Sequence, residues 1–334
     1  MNGVGRNAAV VRALTRRGDI WAGLLGFVLL LLLVQWAGSD GYKNSLLITG
    51  FTYALIALGM FVPFVLAGSL SLAYSAYTAI GAYAVAIMTH RTGAPLWVGW
   101  FIGPPIAAVV AVVLGLATRR LSGFFLGAVT LLFASAFSQF LGQSDSTGGA
   151  SGIGGLPLLS VGSWEPSAQQ QVLAAAVLTT VIAVALDRLR RSPWGKLVRT
   201  AREVPIAVET AGVSVAKLEL VALGLGAALA SFGGSLFTTN IGAVNPETFS
   251  TNIIFLAVFM PIIGGMGTAW GAVLGAGIIV DLTLNVDSLS SSGTLLVALG
   301  VLLILVVFPR GLLGFAGSIG RSATILVRGH RRAT

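Results

Sequence analysis

The sequence predicts an all-α polytopic membrane protein of about ten transmembrane helices, arranged as two inverted-topology halves with both termini cytoplasmic. Three observations predict it: the composition, the lengths of the charge-free stretches, and the clustering of Lys and Arg. Of the 334 residues, 56% are hydrophobic and 9% charged, and the mean hydropathy is +0.92. Soluble domains carry about 25% charged residues, so this chain lacks the polar side chains needed to cover a folded surface in water.

A bilayer core needs about 20 apolar residues per helix, and uncharged stretches of that order recur along the chain. Residues 1–19 form a basic N-terminus with Arg6, Arg12, Arg16 and Arg17. The first span follows over 20–39; its apolar run is longer than a signal-peptide core and no small-x-small cleavage site follows, so it reads as a retained helix. The stretch 44–90 is too long for one helix and is interrupted at Ala67-Gly68-Ser69, which makes it spans two and three. Spans four to seven occupy 92–118, 121–144, 166–186 and 220–246. The stretch 248–280 is broken by Gly264-Gly265-Met266-Gly267, and uncharged sequence resumes after Asp281. The last span is 288–309, and 310–334 is a short basic tail.

Charge resolves the ambiguity at 248–287. Short loops rich in Lys and Arg stay in the cytoplasm. The clusters Arg119-Arg120, Arg188 to Lys217 and Arg310 to Arg332 all fall inside only if 248–287 crosses twice. Ten spans result, with Lys43 and Arg91 outside. Spans two to five and seven to ten then run in opposite senses, the topology of an inverted repeat, in which a transport path lies at the repeat interface. The net charge of +9 follows from this loop asymmetry and requires no nucleic acid. Residues 20–309 form one transmembrane domain. A Gly-rich tract, Thr147 to Pro157, sits in an outer loop as either a connector or a gating element.

Several chemistries lack their residues. The chain has no Cys and only His90 and His330, which excludes disulfides, thiolate sites and His-rich metal sites. It has no G-x-x-x-x-G-K-[ST] run to cradle nucleotide phosphates and no H-E-x-x-H. Neither catalytic residues nor a cofactor or metal site are expected in this chain. Asp281 is the one ionisable candidate within the membrane, where such groups mark ion or substrate paths; bonding to a Ser or Thr of a neighbouring helix is the plainer account.

The cytoplasmic segment 188–215 carries helix signals. Ser192 suits an N-cap and Pro193 the first helical position. Lys196, Arg199 and Arg202 recur at three-residue spacing, and Arg199 can pair with Glu203 at i,i+4. Pro205 starts a second short helix, which Gly212 is placed to end. Such a helix, standing off the membrane with a small-residue face, offers another protein a grip. Within the bilayer, Ser69, Ser71, Tyr74, Tyr77 and Thr78 cluster at the break between spans two and three, where freed backbone groups need partners. They are candidates to line a path, with small-residue helix packing as the competing reading.

The run Ala207-Val208-Glu209-Thr210-Ala211-Gly212 resembles the E-x-A-x-G coupling motif of ABC importer permeases. Ser192 to Val213 is similar to that region of LivM-type permease subunits for branched-chain amino acids. Ordered matches extend the resemblance over roughly 65–315: Gly68 to Leu72 with Ile80 to Tyr83, Thr147 to Pro157, Val244 to Phe249, Ile263 to Gly271, and Pro309 to Gly314. Ala73 departs from the Gly usual in the family after Ser-Leu. The resemblance implies a bacterial inner-membrane importer subunit without its own ATPase site, working by alternating access. It implies two cytoplasmic ATPases that bind ATP-Mg, an extracytoplasmic solute-binding protein, and a second related permease or a second copy of this chain. Arg199, Arg202, Glu203, Glu209, Ala211 and Gly212 would couple to the ATPases, although the two arginines equally suit ordinary cytoplasmic charges. Alternatives are a permease of the same superfamily for urea, amides or sugars, and a stand-alone ion-coupled transporter using Asp281.

Overall fold

The computed structural model describes residues 25–118, 124–157, 166–249 and 251–287, together with 159, 302 and 311–313. Segments 1–24 and 119–123, and nearly all of 288–334, lie outside the described residues, and with them the start of the expected first span, the expected tenth span and the basic termini. Among the described residues there is no strand, and a single antiparallel bridge joins Ile153 to Val244. The protein is an all-α, multi-pass membrane protein.

Helix α1 covers Leu25–Ala37. After Asp40, whose carboxylate accepts the Tyr42 and Lys43 N–H groups, α2 runs Gly41–Met60 and continues as a π-helical stretch, Phe61–Ala67. Then come α3 (Tyr74–Thr92), α4 (Leu96–Ala117), α5 (Phe124–Gln143) and α6 (Ala168–Arg191). Two short helices, α7 (Pro193–Glu203) and α8 (Pro205–Thr210), precede α9 (Val215–Ile241), α10 (Thr251–Gly264) and α11 (Ala269–Asp287). Among the described residues, five helices are long and apolar enough to cross a bilayer: Gly41–Ala67, α4, most of α5, α6 and α9. Helices α10 and α11 meet that test only as a pair, bent by 120° at the 264–268 turn. Helix α3 is absent from the set because Tyr, Ser and Thr punctuate it, and it buries them inside the bundle.

The break expected at Ala67-Gly68-Ser69 is present, and its cause is local. Pro63 has no N–H to give and removes one bond of the regular helix, and Gly68 ends the π turn at φ +77°, a conformation disfavoured by any side chain. Ser192 caps α7 from its side chain to Gly195 N–H at 3.2 Å, with Pro193 at the first position, and Gly212 follows α8 at φ +82°. These match the sequence signals.

At the centre, α9 packs against α2, α3 and α4, while α2 packs against α9, α10 and α11. The helices approach to backbone contact: a Cβ on Gly234 of α9 would stand 1.9 Å from the Thr78 carbonyl oxygen of α3. Such close packing is the dispersion-driven mode of membrane helices, which gain nothing hydrophobic by associating in lipid. The outer faces of α4 and α5 expose Phe101, Val109, Phe125, Leu132 and Phe140, an apolar surface that lipid covers. The Gly-rich tract is no free connector. Thr147 bonds the Leu141 carbonyl at 2.7 Å, and Ile153 and Leu156 pair with Val244 and Gly242, which closes the tract over the end of α9.

Candidate coupling site and translocation path

The segment after α6 is fastened to the bundle on one side and open on the other. Val198, Ala201 and Val208 are buried in the same cluster as Phe61, Val62, Val65, Leu66 and Ala67. The apolar face of α7 therefore rests directly on the π-helical end of α2, and α8 packs on α7 and α9. The opposite face of α8 exposes Ile206, at 73%, beside exposed Glu209 and Ala211. Glu203 and Gly212 are exposed as well. Glu203, Glu209, Ala211 and Gly212 thus lie together on a free surface.

Arg202 is exposed and Arg199 half-buried, and both also bond backbone carbonyls. Arg199 does not reach for Glu203; its guanidinium donates to the carbonyls of Gly195 at 3.3 Å and Arg190 at 3.2 Å, tying α7 to the end of α6. The i,i+4 spacing permits the ion pair, but uncapped C-terminal carbonyls of α6 compete for the same donor. Arg202 donates from Nη1 to the Val65 carbonyl at 2.5 Å. Arg190 donates to the Gly267 carbonyl in the α10–α11 turn, and Asp187 Oδ1 accepts the Ala269 N–H at 3.0 Å.

The break between α2 and α3 gathers the five path candidates. Ser69, Ser71, Tyr74, Tyr77 and Thr78 are all buried. Two of their hydroxyls serve the backbone: Tyr74 Oη donates to the Gly59 carbonyl at 3.1 Å, and Thr78 Oγ1 to the Tyr74 carbonyl at 2.8 Å. Gly59 is the residue whose helical donor Pro63 lacks, so Tyr74 replaces the missing bond. On the far side of the break, Leu72 N–H donates to Thr130 Oγ1 of α5 at 2.8 Å. Ser69 borders a cavity of ≈ 250 Å³ between the ends of α4, α5 and α9. Lys217 and Glu219 stand on its wall, Ser214 and Thr118 add hydroxyls, and Leu116, Leu126, Leu220 and Leu223 form an apolar side. Ser69 and the Glu219 carboxylate face the same cavity. Asp281 is at an exposed position of α11, a helix that packs on α2, α6 and α10; it does not join the cluster.

Sequence reading missed Glu219, Thr130, Asp187 and Arg190. Glu219 had a signal, an acidic residue five positions into the seventh apolar helix. Thr130, Asp187 and Arg190 had none, since each acts on backbone groups at least 58 residues away.

With this geometry in hand, comparison with known proteins is informative. The model of the family described as "Branched-chain amino acid transport system / permease component" matches residues 44–308. The chain is 29% identical over 286 residues to the high-affinity branched-chain amino acid transport system permease protein LivM of Escherichia coli K12, covering 78% of this chain and 67% of that one. It is 28% identical over 289 residues to LivH of the same organism, covering 79% and 92%. A probable LivM of Methanocaldococcus jannaschii is 25% identical over 191 residues, covering 51% and 55%. No solved structure matches.

Proposed function

The chain belongs to the permease-component family of branched-chain amino acid transport systems, and from that premise we propose that it carries branched-chain amino acids inward by alternating access, driven by separate cytoplasmic ATPases. A solute-binding protein delivers the cargo outside. A second permease of the same family completes the pore, a reading supported by the similarity of this one chain to both LivM and LivH. The complex resides in a bacterial inner membrane, and this subunit hydrolyses no nucleotide itself.

The observation that carries the reading is the split character of α8. Val208 is buried at 2% in a helix that packs on α7 and α9, while Ile206 at 73% and Glu209 are turned out. An apolar and an acidic side chain on an exposed helix suit an ATPase groove, and the buried face passes the push to the core. Residues 188–215 are then the coupling loop on the cytoplasmic side.

The same reading includes ten crossings in two inverted halves. It is supported by reciprocal packing: α9 lies on α3 and α4 as α2 lies on α10 and α11, and α3–α4 and α10–α11 are adjacent pairs. It is also supported by the polar contacts at each end. Arg91 bonds Ser146 near the Gly-rich tract, whereas Arg190 and Arg202 bond Gly267 and Val65 beside the coupling loop.

The test is reconstitution of the full complex in proteoliposomes. ATP-dependent uptake of leucine, isoleucine or valine that requires the binding protein is the expected result. Uptake by this chain alone, driven by an ion gradient, would refute the proposal.

A further inference from the structure

In a continuous α-helix through residues 61–69, the Val65 carbonyl would accept the Ser69 N–H. Here Ser69 N–H goes instead to the Pro63 carbonyl at 2.9 Å, and the wide π turn leaves Val65 without that donor. Arg202 supplies one, from Nη1 at 2.5 Å. Its stem lies on the adjoining Gly68, where a Cβ would stand 2.8 Å from Arg202 Cγ. A guanidinium–carbonyl bond is charge-assisted and stronger than the neutral bond it replaces. Arg202 thereby favours the broken form of the helix over the continuous one.

The same segment grips the second turn at that end of the bundle. Arg190 bonds the Gly267 carbonyl and Asp187 caps α11 through Ala269 N–H. Between the two grips the segment is braced, because Arg199 ties α7 to the Arg190 carbonyl of α6 and Val198 and Ala201 are buried in one cluster with the π stretch. Movement of α7 therefore has to act on residues 63–69.

We infer that Arg202 is the positioning residue through which the coupling loop switches the α2–α3 break, with Arg190 holding the second point of the lever. When α7 and α8 are displaced, Arg202 leaves Val65, and the carbonyl recovers a donor by rewinding the π turn toward α-helix. A π turn is one residue wider than an α turn, so rewinding shifts Ser69 at the edge of the ≈ 250 Å³ cavity. Both winding states of one element are then biased by one contact, which is what coupling requires. The displacement itself rests on the proposed function.

The test uses the complete transporter in proteoliposomes with two readouts, leucine carried per ATP hydrolysed and deuterium exchange over residues 61–72 with and without trapped ATP. Arg202→Ala is expected to keep the ATPases bound and hydrolysing while transport per ATP falls about tenfold and the nucleotide-dependent exchange change over 61–72 disappears. Arg202→Lys, which retains a donor without the fork, restores part of both. Lys196→Gln, the same charge loss on the exposed side of α7, behaves as wild type. Wild-type coupling and exchange in Arg202→Ala would overturn the inference, as would loss of ATPase binding, which would make Arg202 a docking contact. A wild-type complex that moves no leucine would sink the proposed function instead, and the exchange readout would still decide the role of Arg202.

Discussion

Tyr74 and Pro63 are expected to be energetically coupled through one carbonyl. Pro63 deprives Gly59 of its helical donor, and Tyr74 Oη takes that place at 3.1 Å. Tyr74 is 1% exposed, and its hydroxyl is wedged against α9, where a Cβ on Gly226 would stand 2.6 Å from it; water has no room to substitute. Tyr74→Phe keeps the ring and its edge-on contact with Tyr77, centroids 5.6 Å apart, so only the bond is lost. A buried acceptor deprived of its partner costs about 1–3 kcal/mol. The Gly59 carbonyl retains the Phe61 N–H, and polar pairs within membranes average about 0.6 kcal/mol, so the expected loss is about 1–2 kcal/mol. Pro63→Ala returns an N–H to the helix, and in that background Tyr74→Phe should cost less by about 1 kcal/mol. The assay is a double-mutant cycle by reversible unfolding in mixed micelles, followed by tryptophan fluorescence and far-ultraviolet circular dichroism. Additivity of the two changes to within about 0.5 kcal/mol, the behaviour of independent sites, would refute the replacement of the proline-deleted bond by tyrosine.

Three further outcomes follow from the same packing. Gly234→Ala places a methyl 1.9 Å from the Thr78 carbonyl oxygen and should destabilise by about 1–3 kcal/mol or more as α3 and α9 separate, whereas Gly41→Ala, with nothing within 4 Å, should be near neutral; thermal melts in detergent discriminate them. Thr130→Val removes the acceptor of Leu72 N–H and should cost about 1–2 kcal/mol, with Thr130→Ser retaining most of the stability in the same melts. Gly212→Asp, at φ +82°, adds about 1–2 kcal/mol of backbone strain and a charge at the end of α8; the complex should still assemble, with ATP hydrolysis uncoupled from uptake, and normal transport by this variant would remove the coupling role from the loop.

What the amino-acid sequence determined by itself is what short-range physics decides. Transfer of apolar side chains from water set the membrane class and most helix positions. Local steric rules at Ser192-Pro193, Pro205, Gly212 and Gly68 set where helices start and stop, since each acts within a turn of its own position. What only the tertiary structure decided is where polar side chains find their partners. The spacing of Arg199 and Glu203 permits an ion pair that the carbonyls of α6 outcompete, and Arg202 spends its charge on a carbonyl 137 positions away. Tyr74 reads as a path residue because it is polar in an apolar run, and its hydroxyl bonds a carbonyl that Pro63 leaves without its helical donor. The physical reason is one of range: a donor in lipid must be satisfied by whatever acceptor the folded bundle brings near it, and that neighbour is fixed by helix packing, which one-dimensional spacing does not encode.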